Sequence, residues 1–380
     1  MGIRTTACRT GSRVQASPAR LPWSQPWIVS RLDCGPTERT GSSITRQRAS
    51  VKDVAQRAGV SVGTVSNVLN RPETVTERTR QRVEAAMAEL NFMRNASARQ
   101  LRAGVSTTVG AILTDLRNPF YTEIARGIED RLALDGHTLM VCSTDEDPLR
   151  EARFVRQFAE QGVRGLLLTP IPSTGARLRE LATFGIPSVL MDSSSEDHAS
   201  VCGDHVAGGR LALQHLLQLG HRHIVFLGAD KHLQQSQHRL RGATDAIAAF
   251  GLDPAEVLRV VNLPQPTSTA GERAILSQLD GPEPKPTAAF CINDIVALGA
   301  IRALRTRGIL IPQEVAVVGY DDLYWASELM TPLTSVRQPM RQIGWAAADQ
   351  LLTDPNGTTQ TVFPPDLIVR KSSDYRRPSA

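Results

Sequence analysis

SVKDVAQRAGVSVGTVSNVLNRPETVTERTRQRVEAAMAELNFMRNASARQL, residues 50–101, decides how the chain is read. Ser50 and Asp53 stand three apart, the spacing of a capping box at a helix start. Val51, Val54, Ala55 and Ala58 then share one face of a helix that stops at Gly59, the residue type that enters a left-handed turn without strain. Ser61 caps a second helix, which turns Val65, Val68 and Leu69 inward and Val62, Gly63, Ser66 and Asn67 outward. Asn70, Arg71 and Pro72 break it. Thr76 caps a third helix, whose buried stripe is Val83, Met87 and Leu90. Two short helices about a tight turn, with a third to close the core, make a helix-turn-helix unit over 49–93. GVSVG, 59–63, also fits the Gly-x-Ser-x-Gly of a hydrolase elbow. That motif needs a buried strand before its serine, and the residues before Ser61 are helical and polar.

Working outward, the charge is uneven. Residues 1–48 hold eight basic against two acidic side chains, 49–104 nine against five, and 105–380 twenty-six against thirty-one, so the net +5 sits at the N-terminal end. That placement suits contact with phosphates. Residues 1–48 are rich in Arg, Ser, Thr, Pro and Gly without a helical or strand period, and are expected to be a disordered basic extension. WSQPWIVS, 23–30, is too short and broken for the apolar core of an export signal. Length calls for more than one domain. No apolar run approaches the roughly 18 residues that a membrane helix needs. Five cysteines, widely spaced and without a Cys-x-x-Cys pair, argue against a disulfide framework or zinc site and for a reducing compartment.

After Leu101 the texture is α/β. Strands are expected at 107–116, 138–144, 163–170 and 186–192, then at 223–229, 257–263, 287–293 and 315–322. Helices are expected between them, among them 119–137, 148–161, 175–184, 208–220, 239–250, 269–279 and 295–307. Such alternation implies parallel sheets buried on both faces, with ligands at the carboxyl ends of the strands. Some 275 residues of it exceed one typical sheet, so two similar subdomains with a cleft between them are expected over 105–380.

These residues resemble the lactose/galactose repressor (LacI/GalR) family. The blocks that carry the resemblance are VKDVAQRAGVSVGTVSNVLN, RNASARQL, PFY, GHRHI, RLRG, CINDIVALGA, IPQEVAVVGYDD and LIVRKSS, in that order. The extension before Ser50 has no counterpart. The resemblance implies a homodimeric, cytoplasmic transcription regulator with a core like that of periplasmic sugar-binding proteins, expected to act as a repressor on operator DNA. It implies no cofactor, and nothing in the sequence brings a nucleophile, base and orienting group together. His221 and His223 lie in the GHRHI turn and lack a third metal ligand.

The early part of the second helix of a helix-turn-helix meets base edges, which places specificity at Val62, Gly63 and Asn67. Asn67 suits a bidentate contact with adenine, and Val62 suits a thymine methyl. Ser61, Thr64 and Ser66 are candidates for phosphates, although capping alone also explains Ser61. Asn95 can cap a short helix in which Ala98 and Leu101 share a face. By resemblance this is a hinge over 94–104 that folds on DNA and wedges Leu101 into the minor groove; a plain helical spacer remains open.

For the effector, the resemblance points to Arg239, Asn293 and Asp321 as polar holders and to Phe120 and Tyr121 as residues that flank the ligand. Asp192 and Asp204 are further candidates that could serve only to organise the cleft. Within HLQQSQH, 232–238, Gln235 and Gln237 could add contacts, and a sugar fits them better than a purine. Capping or ion pairing is open for each polar residue. The rival reading is a solute-binding protein or enzyme on the same core, which leaves 50–101 unexplained.

Overall fold

The computed structural model describes residues 49–93, 106–228 and 233–375. The extension over 1–48, the hinge with Asn95, Ala98 and Leu101, and His232 lie outside the described residues. The chain divides into two compact units, at Met93 and Arg94.

Among its described residues the first unit has three α-helices, α1 (Val51–Ala58), α2 (Val62–Asn70) and α3 (Glu77–Glu89), with a 3-10 turn at Pro72–Thr74. Ser50 and Asp53 form the reciprocal capping box. Gly59 is left-handed, and its N–H and that of Val60 close the last carbonyls of α1. Arg82 of α3 donates to the Ala58 and Gly59 carbonyls, so the third helix clamps the turn. Val54, Val65 and Val83 are fully buried, with Ala55, Ala58, Val68 and Ala86 around them and Met87 and Leu90 half-buried at the edge. Thr76 precedes α3 without a side-chain cap; its hydroxyl pairs with that of Thr79 instead.

The second unit holds two six-stranded sheets. The first is ordered β11-β5-β4-β3-β1-β2, from β1 (Thr108–Leu113), β2 (Thr138–Ser143), β3 (Leu166–Leu168), β4 (Ser188–Met191), β5 (Ser200–Gly203) and β11 (Gln360–Phe363). The second is ordered β12-β10-β9-β8-β6-β7, from β6 (Ile224–Gly228), β7 (Leu258–Asn262), β8 (Ala288–Cys291), β9 (Ala316–Asp321), β10 (Thr334–Arg337) and β12 (Asp366–Ile368). Every pairing is parallel except β10 with β12. The central strands β3, β8 and β9 are buried at every residue, as strands with helices on both faces must be, while the edge strands β2 and β7 expose alternate side chains.

Helices α4 (Pro119–Ala133), α5 (Pro148–Glu160), α6 (Thr174–Thr183) and α12 (Met340–Thr353) belong to the first sheet. Helices α7 (His205–Gln218), α8 (Gln234–Ala249), α9 (Pro254–Val257), α10 (Ser268–Asp280) and α11 (Asp294–Thr306) belong to the second. The chain therefore passes between subdomains three times: after β5, after β10 and after β11. The sequence does not announce the strand at 200–203, because four residues are too few for a period. Nor does it announce the return of 340–363 to the first sheet.

Two helix starts differ from expectation. Helix α7 begins at His205 rather than 208, because Asp204 accepts from Ala207 N at 2.8 Å. Helix α8 begins at Gln234 rather than Arg239; its first turn is polar and Leu233 supplies no side-chain cap, so no local signal marks it. What holds that turn is the other subdomain. Gln234 Oε1 accepts from Ser193 Oγ at 2.6 Å and Ser194 N at 2.8 Å, and Gln235 Nε2 donates to the Asp192 carbonyl at 2.8 Å. Helices α7 and α8 cross at glycine. A Cβ on Gly242 would lie 1.9 Å from Val206 O, and one on Gly209 would lie 2.0 Å from Arg239 O. The crossing thereby fixes the backbone of Arg239.

Candidate functional site

On the first unit, the outer face of α2 carries Val62, 45% exposed, with Gly63 and Asn67 also exposed. A Cβ on Gly63 would meet only Ser61 Oγ at 3.6 Å, so the space over this turn is open. Ser61 Oγ accepts from Thr64 N at 3.0 Å and lies 2.9 Å from Thr64 Oγ1, so both hydroxyls are engaged in the cap. Ser66 accepts from Asn70 Nδ2. An apolar methyl surface, a bare glycine and one amide make this a face able to lie close to another surface, and Asn67 carries an amide able to make a bidentate contact.

On the second unit, a cleft of about 940 Å³, including space open to solvent, runs along the carboxyl ends of both sheets. Seven of the nine expected effector residues line it: Phe120, Tyr121, Asp192, Gln235, Arg239, Asn293 and Asp321. Asp204 does not; its carboxylate is spent on the cap of α7. Gln237 is exposed on α8 and does not line the cleft either.

Arg239 is 5% exposed and forms the centre of the floor. Its Nη1 donates to the Ile292 carbonyl, its Cζ sits 3.6 Å from the centroid of the Tyr320 ring, and Nη2 is 4.0 Å from Asp321 Oδ1. Asp321 is held in the left-handed region at φ 103 and accepts from Gln338 Nε2 at 3.0 Å. Burial pushes its carboxyl up to about 7, against the pull of the Arg239 guanidinium. Asp192, also left-handed at φ 58, takes Gln235 Nε2 on Oδ2 at 3.1 Å and has His205 Nε2 3.1 Å from Oδ1. Asn293 Oδ1 caps α11 by accepting from Val296 N at 2.9 Å, so the capping role left open is real, and the residue still lines the cleft.

Behind the floor, burial drives Asp294 well above the usual carboxylate range, although it accepts from Leu323 N at 2.7 Å and Ser335 Oγ at 2.6 Å. Phe120 is 2% exposed and is first a core residue of the first subdomain; Tyr121 meets it edge-on at 5.0 Å and forms the wall.

Sequence reasoning missed Thr114, Asp115, Asp145, Glu146, Gln265 and Thr267, which also line the cleft. The rule that ligands sit beyond the carboxyl ends of parallel strands would have found them, since they follow β1, β2 and β7. Among the described residues no group of three His, Cys, Asp or Glu is placed to hold a metal, and His221 Nδ1 pairs with Thr287 Oγ1 at 3.0 Å. No helix of the described residues is long and apolar enough to cross a membrane.

A helix-turn-helix unit and a two-sheet core with a polar cleft between its subdomains define a class: regulators in which ligand and DNA bind different parts of one chain. Residues 50–95 match the family described as bacterial regulatory proteins, lacI family, and 213–373 match the periplasmic binding protein-like domain. The HTH-type transcriptional repressor PurR of Haemophilus influenzae (strain PittEE) is 33% identical over 335 residues, covering 85% of this chain and 98% of that protein.

Among solved structures, the lac repressor dimer bound to operator and the anti-inducer ONPF is similar at a TM-score of 0.76 and 30% identity, covering 86% of this chain and 99% of that one. The transcriptional regulator CelR–cellobiose complex is similar at 0.63 and 29%, covering 86% and 100%. A LacI family transcriptional regulator from Enterococcus faecium with bound ribose is similar at 0.65 and 26%, covering 71% and 100%. The chain belongs to the lacI family of bacterial regulatory proteins, and is a DNA-binding transcriptional regulator with an effector-binding core.

Proposed function

We propose that the chain works in the cytoplasm as a homodimeric repressor without catalytic activity, whose affinity for a two-fold operator is set by a sugar or sugar derivative bound in the cleft. The domain assignment follows: 49–93 reads DNA, 94–104 is the hinge, and 105–380 binds effector and dimerises. On the DNA side Val62, Gly63 and Asn67 read bases, and Ser61, Thr64 and Ser66 contact phosphates. Asn95, Ala98 and Leu101 belong to the hinge, with Leu101 as its minor-groove wedge. On the effector side Arg239, Asp192, Asp321, Asn293 and Gln235 hold hydroxyls, while Tyr121 and Phe120 flank the ring. The observation that carries the reading is the convergence of these seven side chains, from both sheets, on one cleft.

Ligand bound there changes the spacing between subdomains, and through the hinge it changes the population able to bind DNA. Gln235 lines the cleft and, with Gln234, fastens α8 to 192–194, so this fastening is a part of the chain that the mechanism would act on. The test is operator binding by fluorescence anisotropy, with and without effector. Arg239→Ala abolishes the response and leaves operator binding; an intact response removes Arg239 from the site. In the same assay Leu101→Ala lowers the preference for operator over random DNA, and unchanged preference removes the wedge.

A further inference from the structure

The loop between β9 and β10 begins and ends in the second sheet, yet part of it is core of the first subdomain. Tyr320, just before it, and Ala326 and Leu333, within it, are buried in the cluster of the second subdomain. Between them Leu323, 1% exposed, is buried in the cluster of the first, with Phe120, Ile124 and Ile343. Trp325 packs against that same cluster, and so does Ile295 from α11. The chain passes between the subdomains three times; here side chains alone make a further joint.

The root of the loop is firmly bonded. Asp321 and Asp322 are left-handed in succession, at φ 103 and φ 56, a conformation that residues other than glycine keep only where their surroundings impose it. Asp322 N donates to Ser335 Oγ at 3.0 Å, and Leu323 N donates to Asp294 Oδ2 at 2.7 Å. Ser335 Oγ donates in turn to Asp294 Oδ1 at 2.6 Å. The Asp322 carboxylate accepts from Arg337 Nε at 2.7 Å and from Arg370 Nη1 at 2.6 Å. A Cβ on Gly319 would lie 2.2 Å from Asp294 Oδ1, so β9 makes room for that carboxyl with a glycine. Ala326 N donates to the Leu323 carbonyl at 2.7 Å and closes the turn that carries Leu323 and Trp325.

An apolar side chain cannot leave a close-packed cluster without opening a void behind it. Leu323 stands two residues beyond Asp321, which lines the cleft. A movement of one subdomain against the other must therefore carry the seat of Leu323 along or pull the side chain out of it.

We propose that residues 321–325 are a pin between the subdomains: rooted in the second through Asp294 and Asp322 and seated in the first through Leu323 and Trp325, they hold the two at one spacing and pass a shift at Asp321 to the first core. Leu323 and Trp325 do not line the cleft, so both are positioning residues. The inference rests on the effector mechanism only in taking subdomain spacing as the quantity that ligand changes, and its test uses neither ligand nor DNA.

Spin labels on ketone-bearing residues placed at exposed Arg179 of α6 and exposed Ala248 of α8 leave the native cysteines untouched. Mixing labelled chains with an excess of unlabelled ones keeps each measured distance within one chain, and pulsed dipolar EPR on the full chain reads the spacing. Wild type shows one dominant distance. Leu323→Ala raises the share of a second distance about tenfold or more, and Leu323→Met, which nearly keeps the volume, restores the single distance. Trp325→Leu acts in the same direction and keeps the test decisive if Leu323→Ala fails to fold. Ile128→Ala opens a cavity in the same cluster from within the first subdomain; it lowers the melting temperature and leaves the distance as in wild type. A spacing unmoved in both Leu323→Ala and Trp325→Leu would overturn the pin, as would an Ile128→Ala chain that gains the second distance equally. Either result leaves the cleft as effector site standing, because that reading falls only if Arg239→Ala keeps its ligand response.

Discussion

Replacing Asp321 with Asn removes a charge from the cleft floor while keeping its shape. Asn is isosteric, tolerates the left-handed φ of 103 that this position adopts, and can still accept from Gln338 Nε2, which lies 3.0 Å from Asp321 Oδ1. The carboxyl sits at about 7 in the folded chain against a usual 3.8, with burial as the main cause. It therefore takes up a proton on folding over the range between those values. The part of the stability that depends on this group is fully present below about pH 3.8 and is lost as pH rises through about 7.

A displacement of this size corresponds to roughly 4 kcal/mol of preference for the neutral form. At about pH 5 somewhat under half of it has been lost, and at about pH 8 nearly all of it. The Asn variant, neutral throughout, gains on wild type by roughly 2–3 kcal/mol between those two pH values. Urea unfolding followed by tryptophan fluorescence, on both chains at both pH values, measures this difference of differences. A stability gap that does not change with pH would refute the burial argument, and a gap that narrows towards pH 8 would reverse its sign.

Two substitutions at glycine test packing and the reading face. Gly242→Ala puts a methyl 1.9 Å from the Val206 carbonyl at the α7–α8 crossing; forced overpacking there costs about 1–3 kcal/mol or more, read as a lowered urea midpoint of the core. A midpoint equal to wild type would mean that the helices separate freely. Gly63→Ala meets only Ser61 Oγ at 3.6 Å, so it raises the stability of the isolated first unit by about 0.5–1 kcal/mol through helix propensity. If DNA lies against that turn, the same methyl weakens operator binding. Unchanged binding would move the contact away from Gly63.

How far the sequence carried depended on the length over which each signal could accumulate. The helix-turn-helix was legible nearly to the residue because its signals are local: Ser50 with Asp53, the left-handed Gly59 and the cap at Ser61 all act within three or four positions. Strands such as β8 and β9, buried throughout, stood out as apolar runs. The first turn of α8 was not legible, because Gln234 and Gln235 are held by residues 192–194 some forty positions away. The same holds for 340–363, whose return to the first sheet is decided by the packing of Ile343, Ala347 and Leu351 against Ile124 and Ile128.

In the cleft, family resemblance supplied Arg239, Asn293 and Asp321. It did not separate Asp192, which lines the cleft, from Asp204, which caps a helix. Both are acidic residues just beyond a strand, and only the direction of the side chain in space distinguishes them. Asp145 and Glu146 lie just beyond the strand expected at 138–144, where parallel strands place ligand groups, but the family resemblance named no residue there; both take left-handed backbone angles.

The central claim is that two copies of this chain read DNA through α2. Selection of bound duplexes from a random pool by the full-length protein, at moderate salt and without added ligand, tests it most directly. Enrichment of a two-fold inverted repeat whose half-sites share one short sequence is the expected outcome. Recovery of no common sequence, or of a single unsymmetrical site, would contradict it.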